Sequence, residues 1–154
     1  MMFRGVNAVN LDSKGRMILP SRHRTLLAQA AQQQLIITID AEGKCLLLYP
    51  LPAWEEIEKK IEELPSFNQT ARRIQRLLIG HATELEIDNN GRLLLPSLLR
   101  EYTLIDRQVI LAGQGKKIEV WSKDIWEKER EKWLNQDLEK DTETMPAALQ
   151  LLSL

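Results

Sequence analysis

The chain has 154 residues, of which 44% are apolar, enough to fill the core of one ordinary domain or of two small ones that share a core. Lys and Arg number 21 against 22 Asp and Glu, and this net charge of −1 excludes the globally basic composition of a nonspecific nucleic-acid coat. The single cysteine, Cys45, and the two histidines, His23 and His81, exclude a disulfide scaffold and a multi-ligand zinc site.

The predicted elements of the first half begin with a tight turn at residues 12–15. Asp12 can accept hydrogen bonds from the amides that follow it, and Gly15 tolerates a positive φ, so we expect a β-hairpin here. The apolar residues 17–19 predict a short buried strand that ends at Pro20. The remaining predictions are a helix with Ser21 as its N-cap that runs to about Ala30, strands at 35–39 and 45–49 joined by a turn at 42–44, and a helix with the apolar stripe Trp54, Ile57, Ile61 and Leu64.

The second half repeats this order after a connector at residues 65–80. The connector is predicted to hold a helix that is capped near Asn68 and stopped by Gly80. No fold is assigned beyond about Leu138. The predicted elements are a turn at 88–91 that forms a second β-hairpin, a strand at 93–95, a helix with Ser97 as its N-cap that runs to about Tyr102, strands at 108–112 and 117–121, and a helix that carries Trp126, Trp133 and Leu134.

Internal repetition is the most informative feature of the sequence. Residues 11–24 (LDSKGRMILPSRHR) and 87–100 (IDNNGRLLLPSLLR) match without a gap at seven of fourteen positions. The similarity continues, after a four-residue slip, into the later strands and helices of each half. The chain is therefore a tandem duplication.

These motifs resemble the MraZ family of bacterial transcriptional regulators, which are built from two SpoVT-AbrB-like domains. The resemblance is carried by two DxxGR turns, each followed by an apolar run and a proline, and by four shorter motifs: MFRG at residues 2–5, LYPLP at 48–52, the arginine-rich helix at 72–77 and GHA at 80–82. It implies a mainly β fold with helices (α+β), in which duplicated swapped-hairpin halves form one pseudo-dimeric β-barrel. The expected divisions are a first domain at 6–53, a helical connector at 54–81, a second domain at 82–125, and a C-terminal helix and tail at 126–154.

Arg16 and Arg92, one beside each turn, are the candidate DNA contacts. An arginine at a hairpin tip can bind a phosphate or donate two hydrogen bonds to guanine O6 and N7. The alternative is that each arginine only braces its turn by pairing with Asp12 or Asp88. The DNA-binding motif of the family, DxxxR, is matched at both places and favours the first interpretation. We expect the first copy to be the principal contact, because Lys14, Arg22 and Arg24 are close to Arg16 in sequence, and the predicted set is Arg16, Lys14, Asp12, Gly15, Arg22, Arg24, Arg92 and Asp88.

Other conspicuous residues have structural interpretations. Arg72, Arg73 and Arg76 form a second basic cluster, better explained as a solvated or subunit-facing helix surface. His81 is better explained as a hydrogen-bonded structural histidine than as a base or ligand. The four tryptophans, at positions 54, 121, 126 and 133, have mainly acidic neighbours, which favours core or subunit contacts over the stacking of single-stranded bases.

Function classes can be narrowed further. The sequence has no nucleophile elbow, P-loop or dinucleotide fingerprint, so we expect no enzyme, no cofactor, no metal and no small-molecule substrate. Apolar runs are too short to span a bilayer, so we expect no membrane partner and a cytoplasmic, nucleoid-associated protein. The resemblance implies a closed homo-oligomeric ring that binds direct repeats in double-stranded DNA upstream of its own gene and represses that promoter and the division and cell-wall genes behind it. The alternative is an AbrB-like antitoxin or an assembly module without its own operator.

Overall fold

The computed structural model describes residues 2–31 and 33–136, and the fold within these ranges is α+β. A large antiparallel sheet carries helices from both halves, which confirms the predicted fold class. The predicted assignment of residues 139–154 lies outside the described ranges. The elements are β1 (Phe3–Asn10), β2 (Arg16–Ile18), α1 (Ser21–Ala31), β3 (Gln34–Ile39), β4 (Leu46–Pro50), α2 (Leu51–Glu62), α3 (Gln69–Ile74) with a π-helical continuation (Gln75–Ile79), β5 (Thr83–Glu86), β6 (Arg92–Leu94), α4 (Ser97–Thr103), β7 (Gln108–Gly115), β8 (Ile118–Ser122) and α5 (Lys123–Asn135).

The two halves exchange strands within the main sheet, whose order is β1-β7-β8-β4-β3-β5. The first strand of the first half, β1, pairs along its whole length with β7 of the second half, from Phe3 opposite Gly115 to Asn10 opposite Gln108. The equivalent strand of the second half, β5, pairs with β3 of the first half. The centre of the sheet joins β4 to β8. The expected swap of elements between the halves is therefore confirmed.

The expected closed barrel is wrong for the described residues. In the main sheet, β1 and β5 lie at opposite edges and do not pair with one another. The short strands β2 and β6 leave this sheet and form a separate antiparallel ribbon, with Met17 opposite Leu93. Closure would require pairing between the two edge strands. Each edge strand instead ends at a turn that sends the chain into the ribbon.

The two predicted turns are present, but the predicted hairpins are not. Gly15 has a φ of 82° and Gly91 a φ of 75°, as the turn composition requires. Asp12 N–H still donates to Arg16 O at 2.8 Å. Beyond that bond, β1 and β2 pair with strands of the second half rather than with each other. A turn sequence specifies that the chain reverses, and it leaves the pairing partner to the rest of the fold.

Apolar residues of the ribbon and the main sheet meet in one core. Met17 and Leu93 point inward from the ribbon and are at most 1% exposed. A second core packs α2 against the opposite side of the sheet, where Trp54 is only 2% exposed and its ring lies 5.6 Å from that of Tyr49. Trp54 therefore belongs to the core of the subunit.

The helix ends agree with the predictions in part. Asn68 caps α3 by accepting a hydrogen bond from Ala71 N–H at 3.1 Å, and Gly80 ends the π-helical continuation. Ser97 is not an N-cap as predicted. It is the first residue of α4, and Pro96 occupies the cap position without a side-chain hydrogen bond.

Among the helices of the described ranges, none has the length and apolar character needed to cross a membrane.

Candidate nucleic-acid interface

The first turn is organised by the carboxylate of Asp12. Its Oδ1 accepts hydrogen bonds from the backbone amides of Lys14 and Arg16, both at 2.9 Å. Its Oδ2 accepts a hydrogen bond from Arg16 Nε at 2.8 Å. One side chain thus fixes both the path of the turn and the direction of the arginine.

The second turn reproduces this geometry. Asp88 Oδ1 accepts from the amides of Asn90 and Arg92 at 2.9 and 2.8 Å, and Asp88 Oδ2 accepts from Arg92 Nε at 2.8 Å. The hydrogen bond from the Arg92 amide is the largest cause of the lowered pKa of Asp88, as the Arg16 amide is for Asp12. Both carboxylates are therefore ionised at neutral pH.

The Asp–Arg pairs agree with the bracing interpretation, but they leave other hydrogen-bond donors of each arginine free of the carboxylate. Each carboxylate engages Nε, whereas a guanidinium has five donors in a planar fork. The side chains of Arg16 and Arg92 are 28% and 29% exposed, so part of each reaches the surface. A braced guanidinium with remaining donors is preorganised for a second acceptor.

The outer face of the ribbon brings the two arginines together. Arg16 lies opposite Leu94 and Arg92 lies opposite Ile18, so these four residues alternate with the buried Met17 and Leu93. The register places the two arginines about 7 Å apart along the strands and about 5 Å apart across them. Ile18 and Leu94 are 56% and 51% exposed. The face therefore combines two guanidinium groups with two apolar side chains.

The remaining predicted residues lie at different places around this face. Lys14 is exposed at the tip of the first turn and Arg22 is exposed on α1. Arg24 packs across the second turn, where a Cβ on Gly91 would lie 2.8 Å from Arg24 Cδ. This removes Arg24 from the reasons for ranking the first turn above the second.

Sequence reasoning missed Arg100. Its guanidinium packs across the first turn, where a Cβ on Gly15 would lie 2.8 Å from Arg100 Cζ. Arg24 and Arg100 are the final matched position of the two repeats. That match is the signal that could have found Arg100.

The two histidines differ in their surroundings. His81 Nδ1 lies 2.8 Å from Leu77 O, which confirms the structural interpretation of this residue. His23 is 1% exposed, contacts Phe3 edge to face at 5.6 Å, and has no hydrogen-bond partner for either ring nitrogen among the described residues. Burial, followed by the charge of Arg22, lowers the pKa of His23. A buried neutral ring of this kind supports the packing of α1.

One further cluster has the side-chain types of a metal site. The ligand atoms of Asp40, Cys45 and Glu119 lie within 4.8 Å of one another. Cys45 Sγ donates to Asp40 Oδ2 at 3.6 Å, and Glu119 Oε1 accepts from Trp121 Nε1 at 3.0 Å. Burial and the two carboxylates raise the pKa of the Cys45 thiol, so it stays protonated at neutral pH. These hydrogen bonds account for the cluster as part of the structure.

The connector arginines and the C-terminal tryptophans lie outside the ribbon. Arg72, Arg73 and Arg76 are exposed on α3 and its continuation. Trp126 and Trp133 of α5 pack with Trp121, their ring centroids 5.6 to 5.9 Å apart. This packing agrees with a role in the core and its margin.

The fold and the site define a class: a duplicated α+β chain whose halves exchange strands and together present a ribbon with one braced arginine from each half. A family model described as "MraZ protein, putative antitoxin-like" matches residues 2–77 and again 78–148. The chain belongs to this MraZ family.

Curated relatives agree over the full length. The chain is 49% identical over 153 residues to "Transcriptional regulator MraZ" of Legionella pneumophila (strain Corby) and 51% identical over 153 residues to the protein of that name from Coxiella burnetii (strain Dugway 5J108-111), in both cases covering 99% of this chain and all of the relative. The protein of the same name from Marinomonas sp. (strain MWYL1) is 53% identical over 146 residues, 94% of this chain and 97% of the relative. Transcriptional regulation is the role of the family, and the expectation that the chain is not an enzyme is confirmed.

Proposed function

We propose that this protein regulates transcription by binding double-stranded DNA in a sequence-specific way through the outer face of the β2–β6 ribbon. The observation that carries the proposal is the pair of arginines, Arg16 and Arg92, which are braced by Asp12 and Asp88 on one exposed face. An arginine that only stabilises its turn needs no exposed N–H donors. An arginine that hydrogen-bonds to base edges needs exposed donors that are held in a fixed direction.

The chemistry of the face suits the major groove. A two-stranded ribbon fits a groove about 12 Å wide, and an arginine there can donate two hydrogen bonds to guanine O6 and N7. Ile18 and Leu94 are exposed beside the arginines and can contact thymine methyl groups. Gly15 and Gly91 form the turns that place the arginines. Lys14 and Arg22 add charge toward the phosphates.

The finer parts of the proposal concern assembly and target. We expect a closed ring of identical subunits that binds direct repeats upstream of its own gene and represses that promoter and the division and cell-wall genes downstream. Each subunit has few basic residues on its ribbon and a net charge of −1, so useful affinity requires several ribbons on one DNA. The expected setting is the cytoplasm, in association with the nucleoid. The domain divisions at 6–53, 54–81, 82–125 and 126–154 remain a prediction.

The test selects bound fragments from the DNA upstream of the protein's own gene across a salt series. Arg16→Ala is expected to lower affinity for the selected duplex at least about five-fold, the effect of one lost bidentate base contact, without changing oligomer size. Arg130→Ala, which replaces an exposed arginine on α5 away from the ribbon, is the matched control and is expected to bind normally. An unchanged affinity of Arg16→Ala would place the DNA contacts elsewhere, and a single repeat that binds as tightly as the array would overturn the multivalent part.

A second candidate is suggested by the antitoxin-like wording of the family description. An antitoxin neutralises a protein partner. If no fragment were selected from the upstream DNA while a co-expressed neighbouring protein copurified with the chain, the antitoxin function would replace the proposed one.

A further inference from the structure

The two DNA-facing turns are each completed by an arginine from the other half of the chain. Arg100 of α4 lies over Gly15, and Arg24 of α1 lies over Gly91. The backbone makes the same exchange, because Leu95 N–H donates to Gly15 O at 3.0 Å and Leu19 N–H donates to Gly91 O at 3.2 Å. The crossing is therefore fixed by main-chain hydrogen bonds at both turns.

Arg24 and Arg100, the two crossing arginines, have no acidic partner among the described residues. The three ion pairs among the described residues involve Arg16, Arg92 and Lys132, so neither Arg24 nor Arg100 is paired with an acid there. The Nε atoms of both are buried and have no hydrogen-bond partner within the same ranges. Holding a cation partly buried and unpaired costs free energy, which an added anion can recover.

We propose that Arg24 and Arg100 bind phosphates of the DNA backbone and that each DNA-contacting unit is built from both halves: Arg16 with Arg100, and Arg92 with Arg24. This inference rests on the proposed function and adds to it the residues that set the position of the ribbon. Arg16 and Arg92 are held by carboxylates on the outer face of the ribbon and contact the base edges. Arg24 and Arg100 lie instead beside the backbone of the turns. Phosphates border the groove that a ribbon enters, so this second position is where a phosphate contact belongs.

The crossed arrangement predicts different interacting pairs of arginines from those that proximity in the sequence would suggest. If each half acted alone, Arg24 would work with Arg16 and Arg100 with Arg92. In the crossed arrangement the interacting pairs are Arg100 with Arg16 and Arg24 with Arg92. Contacting or shared-ligand residues give non-additive double-mutant effects, and independent ones give additive effects.

The experiment measures binding of the full chain to a fluorescent duplex from the DNA upstream of its gene and to a random-sequence duplex, each across a salt series. Arg100→Ala is expected to weaken both by the same factor and to make the salt dependence of log K shallower by roughly 0.9 for each engaged subunit. Arg16→Ala is expected to reduce mainly the preference for the upstream duplex. When Arg100→Ala is combined with Arg16→Ala, the changes in the free energy of DNA binding should be non-additive. When it is combined with Arg92→Ala, they should be additive.

Several results would overturn the inference. An unchanged salt slope in folded Arg100→Ala would show that Arg100 binds no phosphate, and non-additivity with Arg92→Ala instead of Arg16→Ala would show that the units are not crossed. If Arg100→Ala lowers the Tm strongly, Arg100→Lys and Arg100→Gln take its place: a shallower slope for Gln than for Lys supports the inference, and equal slopes refute it. Failure of the unmodified chain to prefer its upstream duplex would refute the proposed function itself, which separates the two outcomes.

Discussion

Asp12 holds Arg16 twice, once by the backbone and once by the side chain. The Arg16 amide lies 2.9 Å from Oδ1 and Arg16 Nε lies 2.8 Å from Oδ2 of the same carboxylate. The shape of the turn and the aim of the arginine therefore depend on one ionised group. Asp88 and Arg92 repeat the arrangement in the second half.

Acid should weaken both turns. The backbone hydrogen bonds of Arg16 and Arg92 lower the pKa values of Asp12 and Asp88. A carboxyl with a lowered folded pKa stabilises the fold fully above its unfolded value of about 3.9, and this stabilisation is lost as pH falls through the lower folded value. The double variant Asp12→Asn, Asp88→Asn is expected to show a flatter dependence of Tm on pH below about 5. Parallel Tm curves for the variant and the unmodified chain would contradict the assigned pKa shifts.

Gly15 should be more sensitive to substitution than Gly5. Both have positive φ, 82° and 94°, but a Cβ on Gly5 would meet nothing within 4 Å whereas one on Gly15 would meet Arg100. Gly5→Ala is expected to lose only the strain of an L residue in the left-handed region, about 1–2 kcal/mol. Gly15→Ala should lose more stability and also DNA affinity, measured by chemical unfolding and by duplex binding. Equal losses of stability at the two sites would mean that the Arg100 contact adjusts freely.

Replacing His23 with an apolar residue should stabilise the protein. The ring is buried with both nitrogens unpaired among the described residues, and burial lowers its pKa. Because the unfolded chain takes up a proton at pH about 6.5 and the folded ring does so only at lower pH, stability declines as pH falls below that value. His23→Leu is expected to raise stability by about 1 kcal/mol at neutral pH and to flatten the curve between about pH 7 and pH 5.

The control for that change is His81→Leu. His81 makes a hydrogen bond to Leu77 O, so its replacement should destabilise the fold. Urea unfolding of both variants at a series of pH values measures the two effects. Stabilisation by both substitutions, or by neither, would contradict the different environments of the two rings.

The exposed end of α5 is the expected contact for self-association. Trp133 is 44% exposed and Leu134 67%, next to the packed rings of Trp121 and Trp126. Leu134→Glu is expected to lower the mass measured by light scattering and to reduce affinity for a repeat array toward that for a single repeat. Asn135→Glu adds the same charge one residue away and serves as the control. An unchanged mass for Leu134→Glu would move the contact to another surface, such as that around Phe67, which is 89% exposed.

Much of the local structure could be predicted from the sequence. Turn residues such as Asp12 and Gly15 have a local requirement, a carboxylate acceptor and a positive φ, and both were found where predicted. Apolar runs ending in proline gave β2 and β6. The match between the repeats also predicted that both turns would have one geometry, as the distances at Asp12 and Asp88 confirm.

The pairing of strands could not be predicted from local residues in the same way, and only the family resemblance implied the exchange between the halves. Nothing in residues 3–10 specifies that they should pair with 108–115 rather than with the strand that follows the turn, because backbone hydrogen bonds are identical for every partner. The places of Arg24 and Arg100 depend on that pairing. Ranking the turns by nearby charge in the sequence therefore assigned Arg24 to the wrong turn.

The covalent joining of the two interleaved halves affects the symmetry of the DNA sites that such a fold can bind. A homodimer of identical chains has an exact two-fold axis, and its target tends to be palindromic for that reason. Here the two equivalent strand sets are covalently joined, and their turns have diverged to Ser13-Lys14 in one and Asn89-Asn90 in the other. The joined halves keep the architecture of a symmetric pair, but each can change its side chains independently. Such a subunit has no exact two-fold symmetry and therefore has a direction. Copies arranged in the same orientation can bind a series of DNA sites that all have the same orientation.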